Sequence, residues 1–173
     1  YALVITTNAG LWRYKIGDVI RFTSLSPYRI QIMGRTKHFI NAFGEELVIE
    51  NADRAIAHAA KLCGVEVVDY TAAPVFMQDE TKGSHEWMIE FHVPPNNPEE
   101  FKIALDTALQ QMNSDYEAKR YKDLTMQLPT IRLARKGLFY DWLETKNKLG
   151  GQHKVPRLSN DRKLLEDLLV MNA

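Results

Sequence analysis

Two strand-like runs, "VEVVDYTAAPVF" and "EWMIEFHV", sit between two sharply punctuated helix-like runs, and this order restricts the chain's fold more than any other feature. The strand runs are rich in β-branched and aromatic residues and are separated by the polar "QDETKGSH", so they are predicted to pair antiparallel across a turn. The helix before them runs from Val48 to Leu62, with Ile49, Ala52, Ile56 and Ala60 at helical spacing and Gly64 as its stop. The helix after them is "NPEEFKIALDTALQQMN". There Asn97 can cap, Pro98 takes the first position, and Glu99 and Glu100 complement the helix dipole.

The flanks extend the pattern. Leu3 to Thr7 reads as a strand, and "GLWRYKIGDVIRFTSLSPYRIQIMGR" reads as two more around a Ser26–Pro27 turn. Trp12, Tyr14 and Ile16 alternate with Arg13 and Lys15, as strand residues do, and "HFINAFGEEL" reads as a hairpin or a strand broken at Gly44. Downstream come a short helical turn in "SDYEAKRYKD", an edge or bulged strand in "LTMQLPTIRLAR", and a helix in "KGLFYDWLETKNK". A last helix is predicted from Asp161 to Met171, capped by Ser159 and packing through Leu164, Leu165, Leu168 and Leu169. The class is therefore α+β: a small, mostly antiparallel or mixed sheet flanked by helices, preceded by a few strands. A boundary is expected near Gly34–Lys37, dividing the chain into 1–36 and 37–173.

Lys plus Arg and Asp plus Glu both number 22, so no broad field favours nucleic acid or anionic lipid. Cys63 is the single cysteine, which excludes an intramolecular disulfide and a Cys-based zinc site; it reads as a small hydrophobe on a helix face. No long apolar run or leader-like segment is visible, so no membrane span is expected and the cytoplasm is the default. The chain opens without Met in a strand-like run, and we expect a fragment whose N-terminal portion is missing.

Three stretches can carry chemistry. In "YKIGD", Asp18 follows a glycine at a strand end, and its carboxylate suits the paired hydroxyls of a ribose; a turn Asp bonding its own backbone fits the same residues. In "GRTKHFINAFGEE", Arg35 and Lys37 lie where the pattern changes from strand pairs to an αβ unit, and their cations can reach a phosphate or sugar; an ordinary polar loop also fits. In "GGQHKVPRLSN", Lys154 follows two glycines and precedes Pro156, a loop that can present an ammonium to charge developing at a phosphate, or merely a solvated lysine. His38, His58, His85 and His92 are scattered without metal-ligand spacing and read as surface or core residues.

Together these stretches resemble the auxin-responsive acyl-acid amido synthetases, the Gretchen Hagen family, a branch of the adenylate-forming enzymes with the firefly-luciferase fold. The family's Tyr-basic-aliphatic-Gly-Asp motif corresponds to Tyr14 through Asp18, and its strand lead-in to "ITTNAGLWRY". Its Gly-Arg hinge corresponds to "GRTKHFINAFGEEL", and its Gln-aromatic-Lys-x-Pro-Arg element to Gln152 through Arg157.

The resemblance implies an ATP-dependent acid–amine ligase, using Mg with ATP, that adenylates a carboxylic acid and passes the acyl group to an amine such as an amino acid. It implies that Asp18 holds the ribose, that Arg35 and Tyr14 lie at the nucleotide, that Lys37 is the hinge residue and that Lys154 is the swinging catalytic lysine. Trp12 and Tyr14 also fit simple strand packing. It further implies a large N-terminal adenylation domain as partner, residues 1–36 being its remnant strands, and no catalysis or tight nucleotide binding by residues 1–173 alone. Asn41 stands where the wider superfamily often has Lys and receives no role; Arg120 fits either an acceptor contact or a structural ion pair. An acyl-CoA ligase of the same superfamily and a non-catalytic interaction module remain as alternatives.

Overall fold

The computed structural model describes residues 1–35, 39–77, 82–148 and 154–173. Its architecture is α+β, as the sequence leads one to expect. Strands β1 (Ala2–Ile5), β2 (Tyr14–Leu25) and β3 (Tyr28–Arg35) form an antiparallel sheet in the order β1-β2-β3. A short hairpin, β4 (Phe39–Ile40) with β5 (Leu47–Val48), leads into helix α1 (Ile49–Cys63). The third sheet contains β6 (Glu66–Val75), β7 (Ser84–Val93) and β8 (Thr130–Ala134). Between β7 and β8 run α2 (Pro98–Met112), α3 (Ser114–Arg120) and a 3-10 turn, and α4 (Leu138–Thr145) and α5 (Lys163–Met171) close the chain.

The predicted hairpin forms: β6 and β7 pair antiparallel, with Tyr70 opposite Ile89. β8 lies parallel to β7 at the sheet edge just after Pro129, so the sheet is mixed; a parallel return needs a long crossover, which α2 and α3 supply. β7 is central and buried from Ser84 to Phe91, and its alternation feeds two cores. Trp87, Ile89 and Phe91 pack with Ala55 and Ile56 of α1 and Phe101 and Leu105 of α2. Met88 packs on the other face with Leu138, Phe139 and Trp142 of α4 and Leu165 and Leu168 of α5. The result is a helix–sheet–helix sandwich. Cys63 lines the first core, partly buried.

The helix signals act as the sequence suggests. Gly64 ends α1 in the left-handed region at φ 66, where a side chain would be strained, and the Val65 N–H returns to the Ala60 carbonyl at 3.0 Å. Asn97 Oδ1 accepts from the N–H groups of Glu99 (3.1 Å) and Glu100 (3.4 Å) at the start of α2.

Several expectations need correction. β1 ends at Ile5, because the Thr6 and Thr7 hydroxyls accept from Arg13 N–H (3.1 Å) and Leu11 N–H (3.4 Å) and close a loop. Trp12 precedes β2: Arg13 lies at φ 47, which breaks the expected alternation, and Trp12 is 79% exposed rather than packed. Helix α1 begins at Ile49, and Val48 is spent on β5. Helix α5 begins at Lys163. Ser159 therefore does not cap it: Ser159 Oγ accepts from Asp161 N–H (3.2 Å), the Asp161 carboxylate accepts from Lys163 N–H (3.1 Å), and the N-cap residue Arg162 makes no side-chain cap bond. Within the first sheet Ile20 is the buried hydrophobic residue, while Leu25, Tyr28 and Ile32 are exposed.

Candidate functional site

Gly17 adopts φ 92, a conformation that suits glycine, at the point where β2 approaches its end pair with β3. The next residue, Asp18, is half-buried and lies opposite Arg35, the terminal pair of the β2–β3 ladder. The backbone therefore places these two sequence-predicted residues side by side immediately before residue 36. Tyr14 begins β2, pairs with Ile5 of β1 and is 53% exposed. Lys37 and His38 lie outside the described residues, as do the glycines and Gln152 and His153 ahead of Lys154.

Lys154 is exposed and lies four residues before Leu158, which bridges Ala72 of β6 in the third sheet. The residues after it are anchored. Val155 is buried in the α4–α5 core. The Pro156 carbonyl accepts from Thr71 Oγ1 at 2.7 Å. The Arg157 carbonyl accepts from Ala72 N–H (2.9 Å) and the Ser159 N–H donates to the Ala72 carbonyl (3.1 Å), a parallel bridge that extends the sheet past β6 around buried Leu158. The Arg157 guanidinium donates to Asp53 of α1 at 2.6 Å and covers the Tyr70 ring at 5.2 Å, and the Tyr70 hydroxyl donates to the same carboxylate at 2.5 Å. Burial and the Asp53 carboxylate hold the Tyr70 hydroxyl well above the ordinary tyrosine value, so it stays a donor. A cavity of about 1010 Å³ opens beside this segment, lined among others by Trp142, Lys146, Pro156, Asp161 and Lys163.

Among the described residues no group of three His, Cys, Asp or Glu side chains is placed to hold a metal ion. His58 lines a small crevice between α1 and α2 and His92 is exposed.

The partners in two buried ionic clusters escape a reading of the sequence. Arg120 of α3 donates from Nε to Asp106 Oδ1 (2.7 Å) and from Nη2 to Oδ2 (3.1 Å), and Tyr116 O–H donates to Oδ1 at 2.9 Å. Of the two readings of Arg120, the structural ion pair is the one found. His85 of β7 is a core residue joined to the fully buried Glu45 at 2.8 Å. Glu45 also accepts from the N–H groups of Ala42 (3.2 Å) and Phe43 (2.7 Å), so its carboxylate closes the turn between β4 and β5. Burial alone would raise the Glu45 pKa; the His85 bond, its charge and the backbone donors outweigh that and hold it below the usual glutamate value. Pairs 14 and 40 residues apart carry no local spacing signal, and only the tertiary fold joins them.

A lowered native pKa means that ionised Glu45 contributes stability above about 4.5, its ordinary value, and that this is lost as pH falls through the depressed native value. The gap in thermal midpoint between the native chain and Glu45→Gln should therefore be constant near neutrality and narrow in acid. A gap that stays unchanged down to about pH 3 would show that ionisation of Glu45 stabilises nothing.

The same fold occurs in a solved protein. A structure of GH3.15 acyl acid amido synthetase superposes with a TM-score of 0.79 at 22% identity, over 98% of this chain and 32% of that one, which establishes the shared fold. The family model for the GH3 family C-terminal domain matches residues 50–163, and that for the GH3 family central domain matches residues 1–35. The chain belongs to the GH3 family. It is 26% identical to indole-3-acetic acid-amido synthetase GH3.4 of Arabidopsis thaliana, over 98% of this chain and 31% of that protein. It is 28% identical to jasmonoyl--L-amino acid synthetase GH3.5 of Oryza sativa subsp. japonica, over 92% of this chain and 28% of the relative. The chain thus spans about a third of the length of the curated relatives it matches. Among the described residues no helix is long and apolar enough to cross a membrane.

Proposed function

We propose that this chain is the C-terminal part of an ATP-dependent acid–amine ligase, residues 1–36 closing a larger adenylation domain and residues 37–173 forming the domain that rotates against it. In the first half-reaction a carboxylate oxygen of the acid attacks the α-phosphorus of ATP, and pyrophosphate leaves. In the second an amine attacks the acyl carbon, loses its proton to solvent or a base, and AMP leaves. Asp18 accepts from the two ribose hydroxyls, Arg35 and Tyr14 lie at the nucleotide, and Lys37 is the hinge residue. Lys154 offsets the charge gathering on the pentavalent phosphorus.

The observation that carries this reading is the placement of Asp18 opposite Arg35 at the last β2–β3 pair, ahead of the expected hinge, with Lys154 exposed at the head of an anchored segment. The relatives' names supply the substrate class: indole-3-acetic acid, jasmonic acid and 4-substituted benzoates as acids, amino acids such as glutamate as amines.

The test uses the full-length protein carrying this chain. Indole-3-acetate, jasmonate and a 4-substituted benzoate are each offered with ATP and labelled pyrophosphate, then with amino acids or CoA. Acid-dependent exchange followed by amide formation is expected. Exchange with none of the acids overturns the ligase reading, and thioester in place of amide selects the acyl-CoA ligase instead.

A further inference from the structure

The segment that carries Lys154 is tied to two different parts of the domain. Its backbone bridges Ala72 of β6, and six residues beyond the lysine Asn160 reaches β4. Asn160 Oδ1 accepts from the Asn41 N–H at 2.7 Å, and Asn160 Nδ2 donates to the Phe39 carbonyl at 3.0 Å. In a parallel ladder a residue bonds to the carbonyl before, and the N–H after, the residue it faces. The Asn160 amide reproduces that pattern around Ile40 with a side chain in place of a peptide group.

An amide is suited to this because it carries both an acceptor and donors at a fixed separation; a carboxylate only accepts. Phe39 and Asn41 follow the expected Gly34–Lys37 boundary by two and four residues. Ile40 and Leu47 hold the β4–β5 hairpin in the core, but apolar contact is non-directional and permits sliding. Asn160 supplies directional bonds that fix β4 along its axis against the lysine segment. Asn41 N–H receives a structural use here, and its side-chain Oδ1 accepts from Glu46 N–H at 3.3 Å within the turn.

We infer that Asn160 is a positioning residue for adenylation: it locks the strand leaving the hinge to the segment bearing Lys154, so that domain rotation and lysine delivery are one movement. This rests on the reading of Lys154 as the lysine of the first half-reaction. The chemistry of that step is unchanged; Asn160 touches neither nucleotide nor acid.

The experiment compares Asn160→Ala, Asn160→Asp and Asn160→Gln in the full-length protein, with the acid of the three above that gives the fastest exchange. Two rates are read: ATP–pyrophosphate exchange, and amide formation from synthetic acyl-adenylate. Displacement of a reacting group by about 1 Å costs on the order of a hundredfold, so Asn160→Ala should slow exchange about ten- to a hundredfold at unchanged KM for ATP. Amide formation from supplied adenylate should move less than about twofold, a split that a general loss of folding does not produce. Asn160→Asp, which sets a carboxylate against the Phe39 carbonyl, should lose at least as much, and Asn160→Gln, which keeps donor and acceptor one methylene further out, should recover part. Where the alanine variant is insoluble, the glutamine variant gives the same split.

Equal losses in both rates, or native exchange in a soluble Asn160→Ala protein, overturn the inference. Lys154→Ala run in parallel separates the two ideas. Native exchange in Lys154→Ala removes the underlying reading, whereas loss there with native exchange in Asn160→Ala removes only the role of Asn160.

Discussion

In the full-length protein, Lys154→Ala should cut acyl-adenylate formation by about a hundredfold or more and leave amide formation from supplied adenylate within a few-fold. A preorganised cation or donor facing charge that develops in the transition state contributes roughly 3 kcal/mol, and each 1.4 kcal/mol is about tenfold in rate. Lys154 is exposed, and its removal leaves the Val155, Pro156 and Leu158 anchors intact, so loss of rate should come without loss of fold. Lys154→Arg keeps the charge but replaces a compact ammonium with a broad planar fork, and partial activity is expected. Quench-flow measurement of pyrophosphate, with single-turnover amide formation alongside, reads both steps. Similar losses in the two would mean that the lysine acts on the fold or on a shared step and would remove it from the adenylation chemistry.

The legible and illegible parts of this chain divide along a physical line. Signals that act within a few residues come through: Asn97 with Pro98 begins α2 and Gly64 ends α1, because a cap satisfies backbone groups of its own turn. The β6–β7 hairpin is legible from alternation and a polar turn. Boundaries fail where a distant partner intervenes. The start of α5 moves from Asp161 to Lys163 because residues 157–159 are committed to β6 some 85 residues earlier, as the bond from Thr71 to the Pro156 carbonyl shows. Trp12 falls out of its strand because Arg13 turns into the left-handed region to meet Thr6. The candidate site residues are named from residue types alone, and it is the β2–β3 pairing, with its two register shifts, that sets Asp18 opposite Arg35. The anchoring of the lysine segment is not readable: Arg157 to Asp53 and Asn160 to Phe39 span 104 and 121 residues, distances over which sequence spacing carries no geometry.

Arg120→Met should destabilise the chain by about 3–5 kcal/mol, the usual cost of removing one partner from a buried pair. Arg120 is 8% exposed, and four of the five N–H donors of its guanidinium are engaged: Nε and Nη2 meet Asp106, and Nη1 meets both the Met126 carbonyl at 2.7 Å and Asp123. Burial works against its charge, yet the bonds to Asp106 and Asp123 raise its pKa above the ordinary arginine value. Once it is gone, Asp106 keeps Tyr116 and Gln110 (2.7 Å) as neutral donors, and an ionised carboxylate at 3% exposure is left without a counter-charge. The double variant with Asp106→Leu should be less destabilised than the sum of the single ones, because the second change removes the stranded charge. Urea denaturation of the four proteins measures both quantities. Its second use is functional. A buried cation with four of its five N–H donors engaged by the domain's own groups is committed to the fold, so Arg120→Lys, which keeps the charge, should leave the KM for the amine of the full-length protein unchanged at temperatures where it is folded. A large rise in that KM, with a stability loss below about 1 kcal/mol, would move Arg120 from the core to the acceptor site.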